Sequence, residues 1–369
     1  MDTIIETLAG RALEYEHLPR GDLLELARRG ADAPEDLLYW AGCIREARFG
    51  KSVRLCCIVA GKLGGCSEDC KWCAQSAAAK ATPAAVSHTE TQGRLRATPD
   101  ESLSGFSDPS VMKAESSPRR AAPEEIHAAI RRAIDSRASR VGIVNSGRGA
   151  SEADIAAIED ALAALPNERA GHVQICASLG ELSEARARRL KAAGVRRYHH
   201  NLETSERMFP QLVSTHTYGD KLATLDAAAA AGLEVCCGAL FGLGETWEDR
   251  VDVALAIRDR TTADTAPLNF LHARPGTPLE HQPPMRPMDI LRTIALFRFA
   301  MPAADIKVAG GREANLRDLQ SHVFRAGASS LMTGHYLTTT GRGGEDDLRM
   351  IADLGLEVVD ELPTAPAGP

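Results

Sequence analysis

Between Ser52 and His335 the chain alternates eight strand-like runs with helical ones, and nothing else in it constrains the fold as strongly. The strand-like runs are SVRLCCIVAG (52–61), SRVGIVNS (139–146), HVQICASL (172–179), RRYHHNL (196–202), EVCCGALFG (234–242), APLNFLHA (266–273), DIKVAGG (305–311) and SSLMTGH (329–335). Helical periodicity fills 123–136, 151–164, 183–193, 219–231, 246–260, 287–300 and 315–325. Strands joined through helices run parallel, and eight such units predict an α/β fold closed as a (β/α)8 TIM-type barrel. A doubly wound open sheet is the alternative. Apolar residues three and four apart in DLLELARR and EDLLYWAGCIREARF predict an N-terminal helical extension over 1–49, ahead of a barrel over 50–357.

One stretch breaks the rhythm. Residues 75–121 hold six large apolar side chains, Val86, Leu95, Leu103, Phe106, Val111 and Met112, among Ala, Ser, Thr and Pro. So little apolar surface does not offset the entropy of ordering, which predicts a mobile insertion; the tail 358–369 is expected to be disordered for the same reason. With 43 Lys+Arg against 50 Asp+Glu the net charge is -7, which argues against nucleic acid or an anionic membrane as partner. No apolar run reaches the length of a membrane span, and the acidic N-terminus has no signal pattern, so a cytoplasmic location is expected.

Side chains alternate across a strand, so each barrel strand sends one set to the helices and one to the lumen. Placing the apolar set outward leaves Arg54, Cys56, Ile58 and Ala60 inward on the first strand. His172, Gln174, Cys176 and Ser178 face inward on the third, and Glu234, Cys236 and Gly238 on the fifth. The same parity turns Arg140, Gly142, Arg197, His199, Asn201, Asn269 and Lys307 into the lumen. Such a lumen is costly unless it binds something, because buried polar groups need partners. It reads as a cofactor and substrate cavity.

The spacing of the nine cysteines decides which of them carry chemistry. Cys66, Cys70 and Cys73 are spaced C-x3-C-x2-C in a loop after the first strand, at the end of a barrel where catalytic groups sit. Three thiolates can hold three irons of a [4Fe–4S] cube and leave the fourth open, whereas zinc would want a fourth nearby ligand that the loop lacks. Cys43, in an amphipathic helix, and the outward Cys57 and Cys237 read as core residues. His272, His322 and His335 have no partner spacing and stay unassigned.

The loop Gly65–Ser76, with Trp72 before its last cysteine, resembles the signature of the radical S-adenosylmethionine superfamily, and Gly238–Glu245 resembles the superfamily segment beneath the adenine. Within that superfamily, GGCSEDCKWCAQS, RYHHNLETS, THTYGDKLATLDAAAAAGLEVCCGALFGLGET, PLNFLHARPGTPL, LRTIALFRFAMP, AGGRE and RAGASSLMTG resemble segments of the biotin synthase family across about residues 35–357. The resemblance implies that Cys66, Cys70 and Cys73 bind the [4Fe–4S] cluster and that Trp72, Asn201, Glu203, Lys221 and Gly242 line the S-adenosylmethionine site. It implies that Asn269, Ser330 and His199 approach the substrate, dethiobiotin. It further implies an auxiliary [2Fe–2S] cluster held by three cysteines and an arginine. Two of those positions match Cys176 and Cys236; the others are Gly142 and Lys307. Cys56, inward on the neighbouring strand, is expected to replace the missing thiol, with His199 or Lys307 beside the cluster and its type left open.

The resulting expectation is a sulfurtransferase that inserts sulfur into dethiobiotin by way of 5′-deoxyadenosyl radicals. It implies an external flavodoxin- or ferredoxin-like electron donor and a homodimer. Another enzyme of the same superfamily branch, of hydrogenase-maturation or methylornithine-synthase type, and a non-catalytic iron–sulfur scaffold are the alternatives.

Overall fold

The computed structural model describes residues 1–79, 118–135, 137–165, 173–334, 336–337 and 341–363. Eight parallel strands close into a barrel: β1 (Ser52–Leu63), β3 (Arg140–Asn145), β4 (Gln174–Ser178), β5 (Arg197–His199), β6 (Glu234–Cys236), β8 (Thr265–Phe270), β9 (Asp305–Val308) and β10 (Ser330–Met332). Closure is made by β10 on β1, with Arg54 opposite Ser330 and Cys56 opposite Met332. The barrel and its eight strands are those read from the sequence.

The fifth expected strand is broken. β6 stops at Cys236 and β7 (Ala239–Phe241) resumes beyond Gly238. The cause is steric: a Cβ at Gly238 would stand 1.8 Å from the Pro267 carbonyl oxygen, so only glycine lets β8 pass this close. Two short strands escaped the sequence reading because two residues carry no periodicity. β2 (Arg119–Arg120) pairs antiparallel with the end of β1, and β11 (Glu357–Val358) runs beside its start.

Three helices precede the barrel, α1 (Thr3–Leu13), α2 (Arg20–Asp32) and α3 (Pro34–Phe49). Those that alternate with the strands are α4 (Pro123–Asp135), α5 (Glu152–Ala163), α6 (Glu184–Ala192), α7 (Phe209–Leu212), α8 (Tyr218–Ala230), α9 (Trp247–Arg260), α10 (Pro287–Ala300), α11 (Arg312–Leu316), α12 (His322–Arg325) and α13 (Gly344–Asp353). Ser151, Thr217 and Thr246 each form a capping box with the aspartate three residues on, which fixes where α5, α8 and α9 begin. The N-terminal extension packs on the outer wall. Arg45 on α3 donates to the carbonyls of Gly50, Ser52 and Ala328, and Arg292 on α10 donates to Ala27 on α2.

Two boundaries move. The ends of the expected insertion belong to the barrel: Gln75 accepts from the Gly64 amide at 2.8 Å, Ser76 is buried, and Arg120 pairs with Asp154. The expectation for the stretch between them lies outside the described residues. The expected disordered tail is fastened through residue 362: Val359 donates to Val53, Glu361 pairs with Arg196, and Leu362 is buried. Backbone pairing with β1 and one buried leucine hold what composition alone left loose.

Candidate functional site

The parity of the strands holds among the described residues; His172, expected inward, lies outside them. Cys57 and Cys237 sit in the apolar core between strands and helices, whereas Cys56, Cys176 and Cys236 are buried outside that core. Stepping two residues along a strand keeps the same face, so the lumen divides into layers. Nearest the N-terminal end lie Arg54, Arg140, Gln174, Arg197, Glu234 and Asp305. Two residues on lie Cys56, Gly142, Cys176, His199, Cys236 and Lys307, and beyond them Asn201, Gly238 and Asn269. The registers Cys56–Arg140, Gly142–Cys176, His199–Cys236 and Pro267–Lys307 tie neighbouring strands together.

The charged layer is tied together by its carboxylates, although Arg54 Nε and Arg197 Nε find no partner among the described residues. Asp305 accepts from Arg140 at 3.2 Å, Arg54 at 3.4 Å, Ser329 at 2.8 Å, and Ser330. Burial alone would raise its carboxyl, but Arg140, Arg54 and the two serines outweigh it and hold Asp305 below the usual carboxylate range. Arg197 pairs with Asp264 and Glu234 and reaches Thr265 at 3.2 Å. Ser330, expected near the substrate, thus has its hydroxyl engaged by Asp305. The sequence reading did not single out Asp305 as the centre of this layer; a lone aspartate opening the strand DIKV was its only signal.

The middle layer is thiol-rich. Lys307 Nζ lies 3.5 Å from Cys56 Sγ, and His199 Nδ1 lies 3.4 Å from Cys236 Sγ. Burial raises the Cys176 thiol to about 12; Cys56 adds to the rise, while Arg140, Arg197 and Lys307 oppose it. Burial disfavours the Lys307 ammonium, but Cys56, Cys236 and Cys176 together outweigh that and raise it. The three thiols therefore share one charged neighbourhood with Lys307. Burial, with Lys307 next, lowers His199 to about 4, so its imidazole is neutral near pH 7. Gly142 contributes no side chain.

Toward the mouth, Asn269 accepts from the Gly310 amide at 2.9 Å and donates to the Ala239 carbonyl at 3.3 Å, bridging β7 and the end of β9. Asn201 accepts from the Gly238 amide at 3.0 Å. Glu203 has φ +70°, a left-handed backbone that a non-glycine residue adopts at a cost, and its carbonyl accepts from Leu240 at 2.7 Å. Burial raises the Glu203 carboxyl, with Lys221, His199 and Asn201 opposing. Lys221 on α8 is buried with its ammonium 5.8 Å from the Phe209 ring centre. Gly242 has φ +90°, and its amide donates to both oxygens of Glu245 at 3.0 Å, which Arg250 holds from behind.

The loop of Cys66, Cys70 and Cys73 stands over this mouth, each thiol half-buried. Burial pushes Cys70 up to about 12, with Cys73, Glu203 and Cys66 adding and Lys221 opposing; burial also raises Cys73. These influences bring the three thiols, Glu203 and Lys221 into one neighbourhood. Trp72 packs against the apolar core. Among the described residues no three His, Cys, Asp or Glu side chains close around a point as a single metal ion requires. A cube makes no such demand, since each thiolate would bind an iron of its own, and the three loop thiols, with backbone bonds from Gln75 and Ser76 to Cys73, fit that donor set. The middle-layer thiols, two of which touch Lys307 and His199, would likewise offer one thiolate per iron to a polynuclear group. The sequence reading did not single out the loop's carboxylates, Glu68 and Asp69, which bond residues 214–216, although their place between the cysteines was a signal.

Comparisons with known proteins agree with this geometry. Residues 62–257 match the Radical SAM superfamily, and residues 267–357 match the Biotin and Thiamin Synthesis associated domain. Among solved structures, methylornithine synthase superposes with TM-score 0.73 at 16% identity over 95% of this chain and 97% of that one. The [FeFe]-hydrogenase maturase HydG does so with TM-score 0.72 at 14% identity over 97% of this chain and 76% of that one. At such identities they show the fold alone, and the fold and cysteine loop together define a radical S-adenosylmethionine barrel. Curated relatives go further. The chain is 42% identical over 362 residues to "Biotin synthase" of Trichlorobacter lovleyi, covering 98% of both. It is 40% identical over 362 residues to that of Heliobacterium modesticaldum, covering 97% of this chain and 99% of the relative. This chain belongs to the biotin synthase family.

Proposed function

We propose that the protein inserts sulfur into dethiobiotin to form biotin. The observation that carries this reading is the near full-length match to biotin synthases, joined to a lumen in which a thiol layer lies below the cysteine loop. When bound, a [4Fe–4S] cluster supplies the electron that cleaves S-adenosylmethionine to a 5′-deoxyadenosyl radical, and an auxiliary cluster supplies the sulfur.

The chain's own residues do the rest. Cys66, Cys70 and Cys73 would hold the first cluster. Lys221 offers a cation to the methionine carboxylate, as a point charge rather than a fork. Glu203 and Asn201 accept and donate toward the ribose, while the left-handed turn at Gly242 would lie along the adenine with Trp72. Asn269 and the neutral His199 face the substrate, and Ser330 steadies the lumen through Asp305. Cys56, Cys176 and Cys236 would hold the auxiliary cluster, with Lys307 balancing its negative charge. A flavodoxin- or ferredoxin-like donor, a homodimer and a cytoplasmic setting complete the reading; no helix of the described residues is long and apolar enough to cross a membrane.

The test is anaerobic turnover of the reconstituted protein with dethiobiotin, read by mass spectrometry, alongside iron and sulfide counts and a Mössbauer spectrum. Biotin formation supports the reading. Cleavage of S-adenosylmethionine without biotin would move the protein to another branch of the superfamily, and no cleavage at all would leave a scaffold.

A further inference from the structure

The loop Cys66–Cys73 contains no helix or strand, and few backbone bonds hold it to itself: Cys73 to Cys70 at 3.1 Å, Ser76 to Cys73 at 3.1 Å and Ala77 to Glu68 at 2.8 Å. Its side chains instead reach one segment, residues 211–216. Lys71 donates to the Gln211 carbonyl at 2.7 Å, and its amide to Leu212 at 3.2 Å. Asp69 accepts from the amides of Ser214 at 2.9 Å and Thr215 at 3.3 Å. Glu68 Oε2 accepts from Thr215 Oγ1 at 2.7 Å and from His216 Nδ1 at 2.6 Å.

The next residue, Thr217, caps α8, whose second turn is opened by Lys221. His216 also packs edge-on against Phe209 at 5.5 Å between ring centres, and Phe209 carries the Lys221 ammonium on its face. A continuous chain of contacts therefore runs Glu68, His216, Phe209, Lys221. Surface staples are exposed, but the side chains of Glu68 and His216 are only 8% and 9% exposed. A buried carboxylate is held firmly by its partners or not tolerated.

We propose that Glu68, through His216, is a positioning residue: it registers the cysteine loop against α8 and so sets the distance between the loop's metal centre and the lysine that receives the methionine carboxylate of S-adenosylmethionine. This rests on the proposed function. Small misplacements of reacting groups are expensive, so a fixed register between the two anchors of one cofactor matters more than either anchor's strength.

The test uses reconstituted holoprotein with Glu68→Ala, His216→Ala and the double variant, and Glu68→Gln as a milder change that keeps the Thr215 bond. Three quantities are read: iron per chain, the dissociation constant of S-adenosylmethionine from the change it causes in the cluster's electron paramagnetic resonance spectrum, and KM against kcat for 5′-deoxyadenosine. Expected is parental iron content, affinity weakened about tenfold by either alanine, a double variant no weaker than the worse single, and a rise in KM that exceeds the fall in kcat. Glu68→Gln should fall between. Unchanged affinity at parental iron overturns the proposal; so do fully additive effects, or iron lost in step with affinity in all four variants, which marks a merely structural staple. A parent protein that binds no S-adenosylmethionine overturns the function beneath it.

Discussion

Two sets of three cysteines share this barrel and are built in opposite ways. Cys66, Cys70 and Cys73 lie within eight residues of one loop at the mouth, fastened through carboxylates to the start of α8. Cys56, Cys176 and Cys236 come from three strands spread over 180 residues and stand above a layer of arginines. The mouth set is half-buried and open to a ligand; the inner set is buried, with an ammonium 3.5 Å from one sulfur and an imidazole 3.4 Å from another. On the proposed function, the difference would let one fold separate two tasks. A loop can hold thiolates while leaving a coordination position accessible, and a closed lumen can keep thiols away from water and in a positive field.

Removing a thiol from each set breaks the comparison most sharply. Cys70→Ala should reduce 5′-deoxyadenosine formation to background in the anaerobically reduced protein; the parent rate would remove the mouth set from the chemistry. Cys56→Ala should spare 5′-deoxyadenosine and abolish biotin, with fewer irons per chain. Full iron and full biotin yield would remove Cys56 from the inner set. The inner set can also be rebuilt: a Cβ at Gly142 would meet nothing closer than Ile58 Cγ2 at 3.4 Å, so Gly142→Cys fits the strand. In the Cys56→Ala background it should restore part of the lost iron, and no gain would mean that position 142 does not face the same centre.

Beneath the inner set, Asp305→Asn should leave Arg54 and Arg140 buried without their charge partner. A loss of about 3–5 kcal/mol is expected in chemical denaturation, as for other broken buried pairs. A loss below about 1 kcal/mol would show that the arginines find other partners. The smallest effect lies outside both sets. Asp249 caps α9 and takes bonds from Ser205 and Arg207; burial opposes its charge, but these bonds win and lower it to about 2. A depressed carboxylate stabilises fully above its unfolded value near 4, and the contribution is lost as pH falls through about 2. Asp249→Asn should therefore cost about 1 kcal/mol at pH 7, with the gap to the parent closing below pH 4. A gap independent of pH would assign the effect to packing.

The mouth set was legible because its spacing is local: three cysteines within one short loop show in the sequence as a single motif, although contacts to residues 211–216 hold the loop in place. The inner set was half legible. Strand parity pointed Cys56, Cys176 and Cys236 inward and Cys57 and Cys237 outward, since an outward polar set would have left the helices facing charge. Parity gives a direction but no height, and the pairing of Lys307 with Cys56 needed the position of β9 relative to β1. The break at Gly238 was invisible because its cause, the Pro267 carbonyl, belongs to another strand.

The sequence by itself determined the elements, the faces they turn inward and the cysteine loop, because period-two and helical patterns and turn residues act over a few positions. Only the tertiary structure decided that β10 closes on β1, that Asp305 gathers two arginines beneath the thiols, and that Glu68 reaches His216 across 148 residues. Those outcomes depend on closure and stagger, which are set by many weak contacts summed around the whole ring rather than by any one segment.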